Sequence, residues 1–143
     1  MAAASLGLPR LEGIRRPGIC CTIEGEDGPF SVIDVGANPQ PKPAHILHYA
    51  LMGSAYYHDT FGVESPRVGL LNIGSEESKG SPLIKEASQL LRAANGIQFV
   101  GNVEGIDVFR GACDVVVSDG FTGNVVLKMI EGISETVVDM ARS

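Results

Sequence analysis

Apolar positions switch between two periodicities along this chain. Ile19–Ile23 and Phe30–Val35 are short β-prone runs, separated by the charged, Gly-rich turn Glu24-Gly25-Glu26-Asp27-Gly28-Pro29. Pro43 opens a helical stretch to about Phe61 that carries Ile46, Leu47, Ala50, Leu51, Ala55 and Tyr56. Proline at a first helical turn loses nothing, because that backbone donor has no helical partner in any case. Val68–Asn72 reads as a buried strand. Leu83, Ile84, Ala87, Leu90, Leu91 and Ala94 follow at helical spacing, and Asn95-Gly96 ends that helix. Ile97–Val100 and Val115–Val117 are two further short strands. A last helix, roughly Gly123 to Arg142, sets Val126, Ile130, Ile133, Val137 and Met140 on one face. Strands alternating with helices predict β-α-β crossovers and a mostly parallel sheet, in one α/β domain over residues 1–143.

Composition narrows the functional classes. With 143 residues and 44% hydrophobic positions, the chain suffices for one domain with a real core, and wholesale disorder is excluded. Its 11 basic and 17 acidic residues give a net charge of −6, which argues against a nucleic-acid partner. No apolar run approaches the length of a transmembrane helix. The opening Met-Ala-Ala-Ala-Ser-Leu-Gly-Leu has helix-like alanines, lacks a leading basic residue and is too short for a signal peptide. Cys20, Cys21 and Cys113 are odd in number and form no Cys-x-x-Cys, so a cytoplasmic, reducing compartment is expected. Both termini read as cuts through something larger.

Four polar, Gly-rich segments each follow a strand in this reading. They are 34–38 (Asp-Val-Gly-Ala-Asn), 72–80 (Asn-Ile-Gly-Ser-Glu-Glu-Ser-Lys-Gly), 101–105 (Gly-Asn-Val-Glu-Gly) and 118–124 (Ser-Asp-Gly-Phe-Thr-Gly-Asn). In a parallel sheet such segments gather on the carboxyl edge, where open α/β folds bind ligands. The last one runs from a Val-rich strand into a helix. Its glycines let backbone amides approach an anion at the helix N-terminus; alternatively Asp119 and Thr122 cap the helix and the glycines serve the turn. Lys79 is the only lysine in the four segments. It either neutralises a phosphate or a developing oxyanion, or balances Glu76 and Glu77 as a solvated loop lysine.

Other signatures fail. There is no Gly-x-Gly-x-x-Gly and no Gly-x-Ser-x-Gly, and Lys79 is neither preceded by Gly nor followed by Ser or Thr as in a P-loop. His45 and His48 sit one helical turn apart but without a nearby third ligand, so ordinary surface or half-buried histidines are expected and no metal site is assigned. Cys113 reads as a small buried residue, and Tyr49, Tyr56 and Tyr57 as packing residues.

The blocks 34–38 with Lys42-Pro43, 67–74 (Arg-Val-Gly-Leu-Leu-Asn-Ile-Gly), 101–105, and 119–128 (Asp-Gly-Phe-Thr-Gly-Asn-Val-Val-Leu-Lys) resemble, in order, successive blocks of one family. It is the bacterial acyl-acyl-carrier-protein:phosphate acyltransferase family of phospholipid synthesis. The resemblance covers nearly the whole chain. It implies a three-layer α/β/α fold related to phosphotransacetylases and isocitrate dehydrogenases, and formation of acyl phosphate from acyl carrier protein thioesters and inorganic phosphate without a cofactor. It further implies a homodimer in the full-length form and a product consumed by acyl transfer at the membrane. Lys79 matches the family lysine after the Glu-Glu pair, and Asn124 the asparagine that closes the last block. These two are the implied catalytic residues. Gly36, Asn38, Asn102, Asp119, Gly120, Thr122 and Gly123 are the implied substrate-binding set, shaping a phosphate and pantetheine pocket.

The family is more than twice this length, and its membrane-facing helices belong to the missing C-terminal part. Ser78 stands where the family usually has Gly, and Pro39-Gln40-Pro41 varies the loop before Lys42. Arg10, Arg15 and Arg16 form the densest basic cluster for an acidic carrier protein, or else a solvated surface cluster. Two other readings compete with acyl phosphate synthesis from the carrier protein. One is transfer between coenzyme A and phosphate; the other is a non-catalytic, truncated phosphate-binding chain.

Overall fold

The computed structural model describes residues 3–5 and 16–143. In chain order the elements are β1 (Ala3–Ser5), β2 (Ile19–Gly25), β3 (Gly28–Ile33), α1 (Pro43–Phe61), β4 (Arg67–Leu71), α2 (Pro82–Ala93), β5 (Gln98–Val103), α3 (Gly105–Phe109), β6 (Val115–Val117) and α4 (Gly120–Arg142). Local chemistry sets most of the helix ends. Pro43 and Pro82 occupy first-turn positions, and the Ser81 hydroxyl accepts the Ile84 amide at 3.4 Å. Gly62 closes α1 in the left-handed region at φ 69°, donating to the His58 carbonyl at 2.9 Å.

The strands form one sheet in the order β1-β2-β3-β6-β4-β5. The four on the C-terminal side of that order, β3, β6, β4 and β5, pair in parallel. β2 pairs antiparallel with both β1 and β3. A six-residue turn signal between two β-prone runs thus makes a hairpin, and only the helix-linked strands run parallel. The alanines near the start, read as helix-like from composition, pair as β1 with Ile19–Cys21 instead.

Side chains alternate across the sheet with period two, and this alternation builds two cores. Ile33, Val68, Leu70, Val115 and Val117 pack against Ile46, Tyr49 and Ala50 of α1 and Ala87 and Leu91 of α2. Cys21, Phe30, Val32 and Val116 face the other way, toward Val108 of α3 and Leu127 and Ile130 of α4. The architecture is three-layer α/β/α.

Three sequence expectations change. β5 extends to Val103, so Gly101, Asn102 and Val103 are strand residues rather than a loop after it. α3, with five residues, is too short to display a helical period, so the sequence pattern does not mark it. In α4, Val126 and Ile130 are half-buried, whereas Ile133, Val137 and Met140 of the same apolar face are 57%, 58% and 70% exposed.

The chain order creates a reversal at the centre of the sheet. The segments leaving β3 and β4 lead to α1 and α2 on one face, while β6 between them leads to α4 on the other. Adjacent strands whose connections part in this way open crevices at their carboxyl ends.

Candidate active site

Asp34, immediately after β3, is fully buried. Its Oδ1 accepts from the amides of Ile19 at 3.0 Å, Gly36 at 3.1 Å and Ala37 at 2.9 Å, and its Oδ2 from Asn38 at 2.8 Å. A buried carboxylate is tolerable when its lone pairs are filled this way, and the same bonds curl residues 34–38 into a tight loop. The Asn38 side-chain amide donates to the Tyr49 hydroxyl at 2.7 Å, tying the loop to α1. Burial, reinforced by the negative Asp34, pushes that phenol up to about 12. Asn38 therefore holds the loop in shape, and the exposed Gly36 is its open face.

The start of α4 docks onto this loop. Asp119 caps the helix: Oδ1 accepts the Thr122 amide at 2.8 Å, and Oδ2 accepts the Thr122 hydroxyl at 2.8 Å. Between the two sequence readings of Asp119 and Thr122, the capping role is the one their side chains adopt. The Gly120 amide donates to the Asn38 carbonyl at 2.9 Å. A Cβ on Gly123 would overlap the Asp34 carbonyl oxygen, so only glycine permits this approach. The crevice between β3 and β6 is thereby filled with backbone. Asn124 Nδ2 donates to the Val35 carbonyl at 3.0 Å. That bond orients the amide and leaves a second N–H and the Oδ1 lone pairs for a ligand.

Across the β6–β4 ladder stands the Lys79 turn, between β4 and α2. Glu77 pairs with Arg92 of α2 at 2.8 Å, and among the described residues no ion pair within 4.0 Å involves Lys79. Lys79 itself is exposed. Its amide donates to the Glu76 carbonyl at 3.1 Å. Asn102, 9% exposed at the end of β5, donates through Nδ2 to the same carbonyl at 3.0 Å.

Along the carboxyl edge, then, Gly36, Asn38, Asp119, Gly120, Thr122, Gly123 and Asn124 line one half of the candidate site, and Lys79 and Asn102 the other. The halves are joined where Leu70 of β4 pairs with Val117 of β6, strands about 4.8 Å apart. Asp34 and Asn72, which head two of the polar segments, and Tyr49, a packing residue in the sequence reading, support this arrangement without belonging to the candidate set.

Other candidates fall elsewhere. His45 Nδ1 accepts the Lys42 amide at 2.9 Å at the start of α1, and burial followed by nearby Arg16 lowers its basicity. Among the described residues no group of three His, Cys, Asp or Glu gathers as a metal site. Burial pushes the Cys20 and Cys113 thiols up to about 12 and raises Cys21, so all three are poor nucleophiles. Arg16 lines a surface hollow beside Asn38, Pro39 and Gln40, whereas Arg10 and Arg15 lie outside the described residues.

A family model described as fatty acid synthesis protein matches residues 1–143. The chain belongs to that family. It is 51% identical over 143 residues to a phosphate acyltransferase of Lacticaseibacillus casei, covering 99% of this chain. It is 49% identical over 142 residues to that of Alcanivorax borkumensis, and 53% identical over 135 residues to that of Syntrophomonas wolfei. The alignments cover 99% and 94% of this chain, respectively. In each case the chain spans 42% of the relative's length. The polar segments at the carboxyl edge therefore lie in a portion that the family shares with these acyltransferases.

Proposed function

We propose that this chain carries the catalytic edge of an acyltransferase that moves an acyl group from an acyl carrier protein thioester to inorganic phosphate. The observation that supports this most directly is the switch point between β6 and β4, flanked by the exposed Lys79 on one side and by Asn124 at the start of α4 on the other. The three relatives named above are phosphate acyltransferases, which agrees with that chemistry.

The reaction asks little of a protein base. Monohydrogen phosphate is itself the nucleophile: a phosphate oxygen bonds to the thioester carbon, the C–S bond breaks, and the phosphate proton ends on the departing thiolate. Acyl phosphate dianion and neutral thiol are the balanced products. What the site must supply is an anchored dianion and a donor for the oxyanion of the tetrahedral intermediate. Lys79 neutralises the phosphate, and Asn124 donates its second amide N–H to the oxyanion. The carrier protein is the acyl donor, and Arg16 beside the Asn38 loop is a cation for its acidic surface.

The test is phosphate-dependent thiol release from a long-chain acyl carrier protein. Lys79→Ala and Asn124→Ala should each slow release by about a hundredfold. Wild-type rates in both variants would overturn the assignment, and equal turnover of acyl-coenzyme A would replace the carrier protein as donor.

A further inference from the structure

We propose that Asn72 and Asn102 are positioning residues that form a two-point clamp on the Lys79 turn and act on phosphate through Lys79. The inference rests on the phosphate reading above and extends it to two side chains that need not touch the ligand. Lys79 lies on an exposed loop, and a lysine on a loose loop would spread its charge over many positions. Two amides at adjacent strand ends prevent that. Asn72, directly after β4, accepts the Ile73 amide on Oδ1 at 2.8 Å and donates through Nδ2 to the Lys79 carbonyl at 3.0 Å. Asn102 donates to the Glu76 carbonyl, the same oxygen that accepts the Lys79 amide. The peptide group after the Lys79 Cα is thereby tied directly to the end of β4, and the one before it is tied to β5 through the shared Glu76 carbonyl. Gly80, at φ +98°, completes the turn, and a Cβ there would sit 3.0 Å from both amide atoms of Asn72. Asn102 Oδ1 is buried with no protein donor among the described residues, so this side chain is held by its single bond to the turn.

The experiment is a double-mutant cycle on this chain, read by inorganic phosphate binding in calorimetry and by hydrogen exchange of the Lys79 amide. Asn72→Leu and Asn102→Leu keep the volume and remove the donors. Each should weaken phosphate binding by about tenfold and speed Lys79 exchange by a similar factor. In a Lys79→Met background the same substitutions should change phosphate binding by less than about twofold, because the group they position is gone. A general loss of structure would add equally in both backgrounds, and that result overturns the clamp. Unchanged Lys79 exchange in both variants also overturns it, whatever happens to phosphate. If Lys79→Met binds phosphate as well as the parent, the phosphate reading fails, and faster exchange in the asparagine variants still supports the clamp as a device that orders this turn.

Discussion

Removing the Asp34 carboxylate tests whether one buried side chain organises half of the site. Four backbone amides converge on it, at 2.8–3.1 Å. Hydrogen bonds to a charged acceptor are worth about 1.5–3 kcal/mol each when lost. The Gly36 and Ala37 amides belong to exposed residues and regain water, so they contribute little to the loss. Ile19 and Asn38 are half-buried, and their two bonds carry most of the effect. Asp34→Ala should therefore cost about 3–5 kcal/mol, less than the full sum because a buried charge is also removed. For a chain of this length that lowers the melting temperature by about 10–15 °C.

Asp34→Asn separates charge from shape. An amide oxygen at the Oδ1 position keeps three of the four bonds, while its NH2 opposes the Asn38 amide. The loss should shrink to about 1–2 kcal/mol. Thermal melts followed by far-ultraviolet circular dichroism give the numbers, and phosphate titration of the folded variants reports on the site. An Asp34→Ala chain that melts within about 2 °C of the parent refutes the reasoning, since surface substitutions alone span that range.

Two other outcomes follow from the same geometry. Gly123→Ala drives a methyl into the Asp34 carbonyl, so α4 must shift off the 34–38 loop; stability should fall by about 1–3 kcal/mol, and phosphate-dependent thiol release should fall with it. Retention of both would show that the close approach is dispensable. The folded chain holds the Cys20 and Cys113 protons to about 12, whereas unfolded thiols lose theirs above about pH 9. The native state therefore binds more protons through this window, and stability must fall as pH rises from 9 toward 12. Urea midpoints should show a loss of about 2–3 kcal/mol by pH 10, and equal midpoints at pH 8 and 10 would contradict the burial of these thiols.

Much of the local structure can be read from residue order. Pro43 and the following apolar positions predict α1 to the residues observed, and Val115–Val117 is the strand that its composition suggests. The Asp-x-x-Thr spacing at 119–122 offers a cap, and the cap forms. These features depend on neighbours within one turn or one pleat, which the sequence carries directly. The polar segments were also visible as such, because glycine and asparagine cluster where strands end.

Tertiary structure decided how those pieces work together. Nothing local to β6 dictates that it inserts between β3 and β4, and that insertion creates the switch point facing Lys79. Asp34 reads as an ordinary turn residue until Ile19, fifteen positions upstream, donates to it. Asn102 reads as a loop residue because the apolar run stops at Val100, yet pairing with β4 extends the strand through Val103 and brings its amide to Glu76. Periodicity reports which face of an element is apolar. Which element lies beside which is settled by burial and by hydrogen bonds between residues far apart in the chain, and no window of sequence holds both partners.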